Sequence, residues 1–194
     1  MRLSLDTVLV VDVESTCWEG QPPQGEEPEV IEIGLVELEL ASLERAARRS
    51  ILIRPERSRV SPFCTRLTTL TPEEVERGVS FADACATLRT EHDSGHRVWA
   101  SFGEYDRTMI EDQCRRRRVG YPFGTRHLNV KALFALVHGL PREVGMRRAL
   151  QIAGMEMEGT HHRGSDDAWN IAGLLAAMIG AARGVGGAAG STRS

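Results

Sequence analysis

Apolar positions early in this chain follow strand patterns. Val8-Leu9-Val10-Val11 is an unbroken apolar run, as in a strand covered on both faces, and it predicts a strand over Thr7 to Val13. A second run, Val30 to Leu40, alternates at its start, with Ile31, Ile33 and Leu35 on one face and Glu32 and Gly34 on the other. A third strand is predicted over Ala47 to Ile53, which gives an antiparallel meander. The punctuation then changes to that of helices. Thr71-Pro72-Glu73-Glu74 reads as a cap, a proline at the first helical position and a capping-box glutamate. Ser80 is placed to cap a second helix running to about Glu91. Arg97 to Ser101 reads as a fourth strand, followed by a glycine turn and a helix from about Tyr105 to Arg118. Leu128-Asn129-Val130 suits a short fifth strand leading into a helix that ends near Gly139. Met146 to Ala153 predicts a further helix with Gly154 as its stop. The apolar stretch Ile171 to Ile179 predicts a last helix, opened by Asp166-Asp167-Ala168. No internal repeat is visible.

Five residues stand out on these elements. Side chains two apart on a strand share a face, so Asp12 and Glu14 point the same way from the end of the first strand. Two carboxylates there are costly without compensation, and a hard divalent cation such as Mg²⁺ or Mn²⁺ compensates them. The bland reading is an acidic strand end at the sheet rim. Asp106 falls in the first turn of the helix after the fourth strand, and Asp167 in the first turn of the last helix. Each alone reads as a favourable charge at a helix N-terminus. His162 lies on the loop before that last helix, where an imidazole titrating near neutrality can reach a reacting water. The bland reading of His161-His162 is an exposed loop pair. Taken together, in this order and on these elements, four carboxylates and one imidazole are what a two-metal phosphodiesterase requires.

The chain resembles the DEDDh exonucleases, and most closely the histone-mRNA 3′-exonuclease/enhanced-RNAi branch of that superfamily. Asp12-Val13-Glu14-Ser15-Thr16-Cys17 is similar to the branch's Asp-x-Glu-Ala-Thr-Cys. The Pro- and Glu-rich stretch Gly20 to Glu29, followed by Val30-Ile31-Glu32-Ile33-Gly34, is similar in style to its second strand. Phe63-Cys64-Thr65-Arg66-Leu67-Thr68-Thr69-Leu70-Thr71 resembles Phe-Cys-x-x-Leu-Thr-x-Ile-Thr. Ser101-Phe102-Gly103-Glu104-Tyr105-Asp106 resembles Trp-Gly-x-Tyr-Asp, with Phe102 where tryptophan is usual. Gly164-Ser165-Asp166-Asp167-Ala168-Trp169-Asn170-Ile171-Ala172 resembles Gly-x-Asp-Asp-x-x-Asn-Ile-Ala. The similarity runs from about Leu9 to Ile179.

The resemblance implies an α/β domain with the RNase H-like exonuclease fold, a five-stranded mixed sheet flanked by helices. It implies that Asp12, Glu14, Asp106 and Asp167 hold two divalent ions, Mg²⁺ or Mn²⁺, with Asp12 bridging them. His162 would be the general base, and nucleoside 5′-monophosphates would leave stepwise from a 3′ end. Ser15 and Thr16 would reach the terminal sugar, and Leu67 and Thr68 would pack against the terminal nucleotide. Leu67 reads equally as an ordinary core leucine. Trp18 reads either as a pocket wall or as a cover over the first strand. RNA is the expected substrate because that branch acts on RNA. The same chemistry on DNA is the alternative, and a catalytically dead binding module is a third reading, which the intact set of five residues opposes. The branch's eukaryotic members often carry a nucleic-acid-binding segment before the nuclease. Here the first strand begins within a few residues of Met1, so none is expected. Homodimers occur in the superfamily, and nothing in the residues decides for or against one.

Composition trims this picture only slightly. The 194 residues suit one domain over residues 1–183, with a Gly-, Ala- and Ser-rich tail, 184–194, expected to be disordered. No apolar run could span a membrane and no signal-peptide pattern opens the chain. Cys17, Cys64, Cys85 and Cys114 show no Cys-x-x-Cys, which suits reduced thiols in a cytoplasm. A zinc site from Cys85, His92 and His96 is conceivable, but a polar helix end explains them more simply. The net charge of −3 excludes a strongly basic nucleic-acid binder. An enzyme that grips a few terminal nucleotides needs few phosphate contacts, so modest, weakly salt-dependent binding is expected. Arg115 to Arg118 reads as dipole compensation on a solvated helix end, or as a phosphate-tracking patch.

Overall fold

The computed structural model describes residues 4–184. The expected tail therefore lies outside the described residues, Gly184 excepted. Three strands open the fold: β1 (Ser4–Ser15), β2 (Val30–Glu39) and β3 (Arg45–Leu52). They form the expected meander, β1 antiparallel to β2 and β2 antiparallel to β3. Next come α1 (Pro62–Thr68), α2 (Pro72–Glu76) and α3 (Phe81–Glu91), then β4 (Arg97–Ser101) and α4 (Tyr105–Arg117). The chain closes with β5 (His127–Asn129), α5 (Val130–Val137), α6 (Met146–Ile152) and α7 (Gly164–Ala182). The sheet order is β3-β2-β1-β4-β5, with β1, β4 and β5 parallel. This is the expected five-stranded mixed sheet.

Helices cover both faces. Leu9, Val11 and Val13 of β1 pack with α3 and α4 through Phe81, Leu88, Met109 and Ile110. Val8 and Val10 pack on the opposite side with Phe134, Leu150, Ile171 and Leu174 of α5, α6 and α7. The buried apolar run of β1 thus follows from a three-layer arrangement. The same coverage buries the second face of β2, where Glu32 is 0% exposed.

The helix starts form as their caps dictate. Thr71 and Glu74 make the reciprocal capping box, and the Ser80 hydroxyl accepts the Asp83 N–H. Asn129, read as a strand residue, also caps α5 by accepting the Ala132 N–H at 2.9 Å. One helix escaped the sequence reading. In α1, Ser61 is the cap and Pro62 the first residue, the same kind of start signal as Thr71-Pro72.

The run Arg115 to Arg118 divides: Arg115 stays exposed at the helix end, while Arg116 and Arg117 are tied to the fold. Arg117 pairs with Glu29 and with Glu56 at 3.2 Å, and Arg116 donates to the Pro28 carbonyl at 2.8 Å. Arg118 closes α4 in the left-handed region. The helix end is bolted to the segment that leads into β2. The three residues weighed for zinc stay apart in role: His92 bonds Glu37, His96 bonds Asp93, and Cys85 is buried. Among the described residues no helix is long and apolar enough to cross a membrane.

Candidate active site

The carboxyl end of β1 supplies the first two acids. Asp12 sits opposite Gly34 and Glu14 opposite Glu32 in the register with β2, on the face that α7 covers. The strand order reverses beside β1, with β2 and β3 on one side and β4 and β5 on the other, and a cleft at the carboxyl ends of strands at such a switch point is a recurrent ligand position in α/β folds. Here the cleft has a volume of about 350 Å³ and is walled by Asp12, Glu14, Asp106, His161, His162 and Asp167 among others.

Asp106 arrives from α4. Its Oδ1 accepts the Val13 N–H at 2.9 Å, which ties the first turn of that helix to the strand between the two acids. Asp167 arrives from the first turn of α7. Its Oδ2 accepts the His162 N–H at 2.9 Å, and the His161 Nδ1 lies 3.0 Å from the same oxygen. The loop closes tightly enough to hold His162 at φ +64°, a region uncommon outside glycine that clusters at functional sites. The two imidazoles stack with centroids 3.9 Å apart.

Oxygen atoms of Asp12, Glu14 and Asp167 lie within 4.8 Å of one another, and His161, His162 and Asp167 form a second trio at the same spacing. Asp106 belongs to neither trio but is close enough to act on both Asp12 and Glu14. Burial, then the charges of Asp106, Glu14, Asp167 and Glu32, push the Asp12 carboxyl well above the usual range. Burial, then Asp167, Glu32 and Asp106, push Glu14 up to about 8, against the opposing pull of Arg163. Asp106 rises to about 6, driven by burial and restrained by the N–H bonds it accepts. Burial and His161 hold His162 below the ordinary histidine value. A cluster of buried acids that repel one another is a hard-donor set suited to divalent cations.

The remaining expected residues divide. Ser15 and Leu67 line the cleft, and Leu67 is 37% exposed. The Ser15 hydroxyl meets the Tyr105 hydroxyl at 2.7 Å. Thr16 and Thr68 do not line it. The Thr16 hydroxyl accepts the Glu29 N–H at 3.0 Å, and the Thr68 hydroxyl donates to the Cys64 carbonyl at 2.9 Å. Trp18 walls a neighbouring groove with Phe63 and Arg66. Cys17, Phe102, Tyr105, Met146 and His161 complete the cleft wall. Sequence reasoning did not single them out for it, although Tyr105 and Phe102 sit inside the motif that carries Asp106.

Comparison with known proteins identifies the family. The family model described as Exonuclease, of the RNase T type, matches residues 9–175. Human 3′-5′ exoribonuclease 1 is 29% identical over 184 residues, covering 90% of this chain and 52% of the human protein. The chain therefore spans about half the length of that relative. The nuclease domain of 3′hExo, a DEDDh family member solved with rAMP, superposes with a TM-score of 0.82 at 28% identity, covering 90% of this chain and 92% of that one. A 3′-exonuclease solved in recognition of the histone mRNA stem-loop superposes with a TM-score of 0.80 at 27% identity, covering 92% and 83%.

Proposed function

This chain belongs to the exonuclease family, and we propose that it is a metal-dependent 3′-to-5′ exoribonuclease that releases nucleoside 5′-monophosphates from single-stranded RNA or RNA 3′ overhangs. The observation that carries this reading is the convergence of four carboxylates from β1, α4 and α7 on one cleft beside a histidine. Relatives named exoribonuclease, and a fold neighbour bound to rAMP, support RNA as the substrate.

Asp12, Glu14, Asp106 and Asp167 would hold two divalent ions, Mg²⁺ or Mn²⁺. When bound, these ions supply Lewis-acid charge to the attacking water and the leaving 3′ oxygen. The residues do the rest. His162, held below its ordinary pKa, is neutral at neutral pH and can take the proton from the attacking water. Asp167 fixes the backbone of that histidine through its N–H, and His161 stacks on its ring. Ser15 and Tyr105 present paired hydroxyls at the rim for the terminal sugar. Leu67 offers an exposed apolar face to a base, a contact that every base can make.

The test is a time course on 5′-labelled single-stranded RNA and matched DNA with Mg²⁺, Mn²⁺ or EDTA, beside Asp12→Ala and His162→Ala. The expected result is a ladder that shortens from the 3′ end, faster on RNA, and is lost with EDTA and with Asp12→Ala. His162→Ala should lose about 10²-fold or more in rate while still binding Mn²⁺. Faster trimming of DNA would move the assignment to a DNA exonuclease. Binding of both strands without cleavage would overturn the enzymatic reading.

A further inference from the structure

Glu32 takes no part in the chemistry above, yet it is 0% exposed and stands opposite Glu14 in the sheet register. Like charges directly opposite in a sheet are destabilising, and a buried carboxylate is costly unless it is satisfied. Its two oxygens are committed. Oε1 accepts the hydroxyl of Ser50 on β3 at 2.6 Å, and Oε2 accepts the N–H of Gly164 at 3.0 Å. The Nε of Arg163 lies 3.5 Å from the same Oε2, an ion pair without a hydrogen bond. Arg163 and Gly164 are the two residues that follow His162 and open the helix carrying Asp167.

A second contact acts at the same place. Gly34, two residues along β2, meets Gly164 backbone to backbone: a Cβ on Gly34 would fall 1.9 Å from the Gly164 carbonyl carbon. A Cβ on Gly164 would come within 2.9 Å of the Gly34 nitrogen and 3.1 Å of the Asp12 carbonyl oxygen. The start of α7 therefore rests directly on β2 beside Asp12, with glycine on both sides of the contact.

We propose that Glu32 is a positioning residue. It draws the Arg163-Gly164 step onto β2, with the Gly34–Gly164 contact as the stop, and so sets where His162 and Asp167 enter the cleft. This rests on the exonuclease reading for its effect on turnover. Its effect on the placement of Asp167 does not depend on that reading. Outer partners that orient a ligand commonly change metal affinity or activity 10- to 100-fold when removed.

Two conservative variants separate placement from charge. Glu32→Gln keeps the length: its amide oxygen can accept the Gly164 N–H, while its NH₂ donates to Ser50, whose hydroxyl can act as donor or acceptor. Glu32→Asp keeps the charge but withdraws it by one methylene. The measurements are Mn²⁺ affinity by calorimetry, and kcat and KM on a short RNA, with folding checked by circular dichroism. Placement predicts that Glu32→Asp weakens Mn²⁺ binding and lowers kcat by roughly 10-fold or more with little change in KM, while Glu32→Gln stays within about three-fold of the parent. The reverse order, with aspartate tolerated and glutamine not, would show that the charge matters and overturn the proposal. Parent-like behaviour of both variants in both measurements would overturn it too. A parent protein that cleaves neither RNA nor DNA would sink the exonuclease reading instead, and the Mn²⁺ affinities of the two variants would still decide the placement.

Discussion

Two buried acidic regions lie along the same sheet, and their carboxylates are treated in opposite ways. Glu29, 1% exposed, accepts N–H bonds from Glu56, Arg57 and Ser58 at 3.1, 2.9 and 2.7 Å and pairs with Arg117. Burial alone would raise its pKa, but the bonds from Arg57, Glu56 and Ser58, with Arg117, hold it below the ordinary value. In the cleft, Asp12, Glu14 and Asp106 are raised, because burial and mutual repulsion are met by too few donors. A fully partnered buried acid is part of the architecture. A cluster of under-partnered acids is a site that expects its counter-charge from outside.

The largest effect should come from removing one acid on each side. Glu29→Ala leaves the Arg117 guanidinium, whose side chain is 10% exposed, without its shortest partner. Breaking a buried pair in this way costs about 3–5 kcal/mol, so chemical denaturation should show a loss of that size. Activity per folded molecule should be retained, since Glu29 does not line the cleft. Asp12→Asn should do the opposite. It removes a charge that its neighbours repel, so the metal-free protein should melt higher while the nuclease is lost. Both variants falling in stability would erase the distinction between the two regions.

A smaller effect follows from pH. Glu14 has an ordinary value of 4.5 and rises to about 8 in the folded chain. The folded state therefore binds the proton more tightly than the unfolded state. Its contribution to stability is complete below about pH 4.5 and drains away as pH rises toward 8. Asp106, raised to about 6, adds a loss in the lower part of that window. Metal-free protein should melt several degrees lower at pH 8 than at pH 5, since each kcal/mol moves a chain of this size by about 2–4 °C. Mn²⁺ competes with those protons, so its stabilising shift should grow between pH 6 and pH 8. A metal shift that is flat with pH would break the link between the raised carboxylates and the ion.

The contrast also marks what the sequence could reveal. The elements that carry Asp12, Glu14, Asp106, His162 and Asp167 were legible because local rules define them: a strand end, a helix first turn, a loop before a helix. The capping box at Thr71 and the stops at Gly139 and Gly154 were legible for the same reason. Glu29 and Arg117 are 88 residues apart, and nothing local pairs them, so the arginine run looked like a solvated end. Glu32 alternates with apolar neighbours, a pattern that fixes its face of the strand but not what covers that face. Only the docking of α7 on β2 reveals its burial. Thr16 and Thr68 show a related limit: a motif fixes the residue but not the direction of its hydroxyl, and both hydroxyls are spent inside the fold. The stacking of His161 on His162 depends on a positive φ that composition does not announce.

The smallest effect sharpens the comparison from its outer edge. Arg115 belongs to the same run as Arg117, but its side chain is 74% exposed and meets Asp112 at 2.9 Å, one turn earlier on the same helix. An exposed pair of this kind is worth about 0–1 kcal/mol, and α4 retains Arg116 and Arg117 for its anchorage. Arg115→Ala should therefore leave stability within about 0.5 kcal/mol of the parent, and KM for RNA within about two-fold at both low and high salt. Arg117→Ala, two residues on, should lose stability on the scale of Glu29→Ala, because it breaks the same buried pair from the other side. A rise in KM for long RNA in Arg115→Ala, absent with a dinucleotide and suppressed by salt, would instead make the exposed edge of this run a phosphate track and separate its role from that of the buried latch beside it.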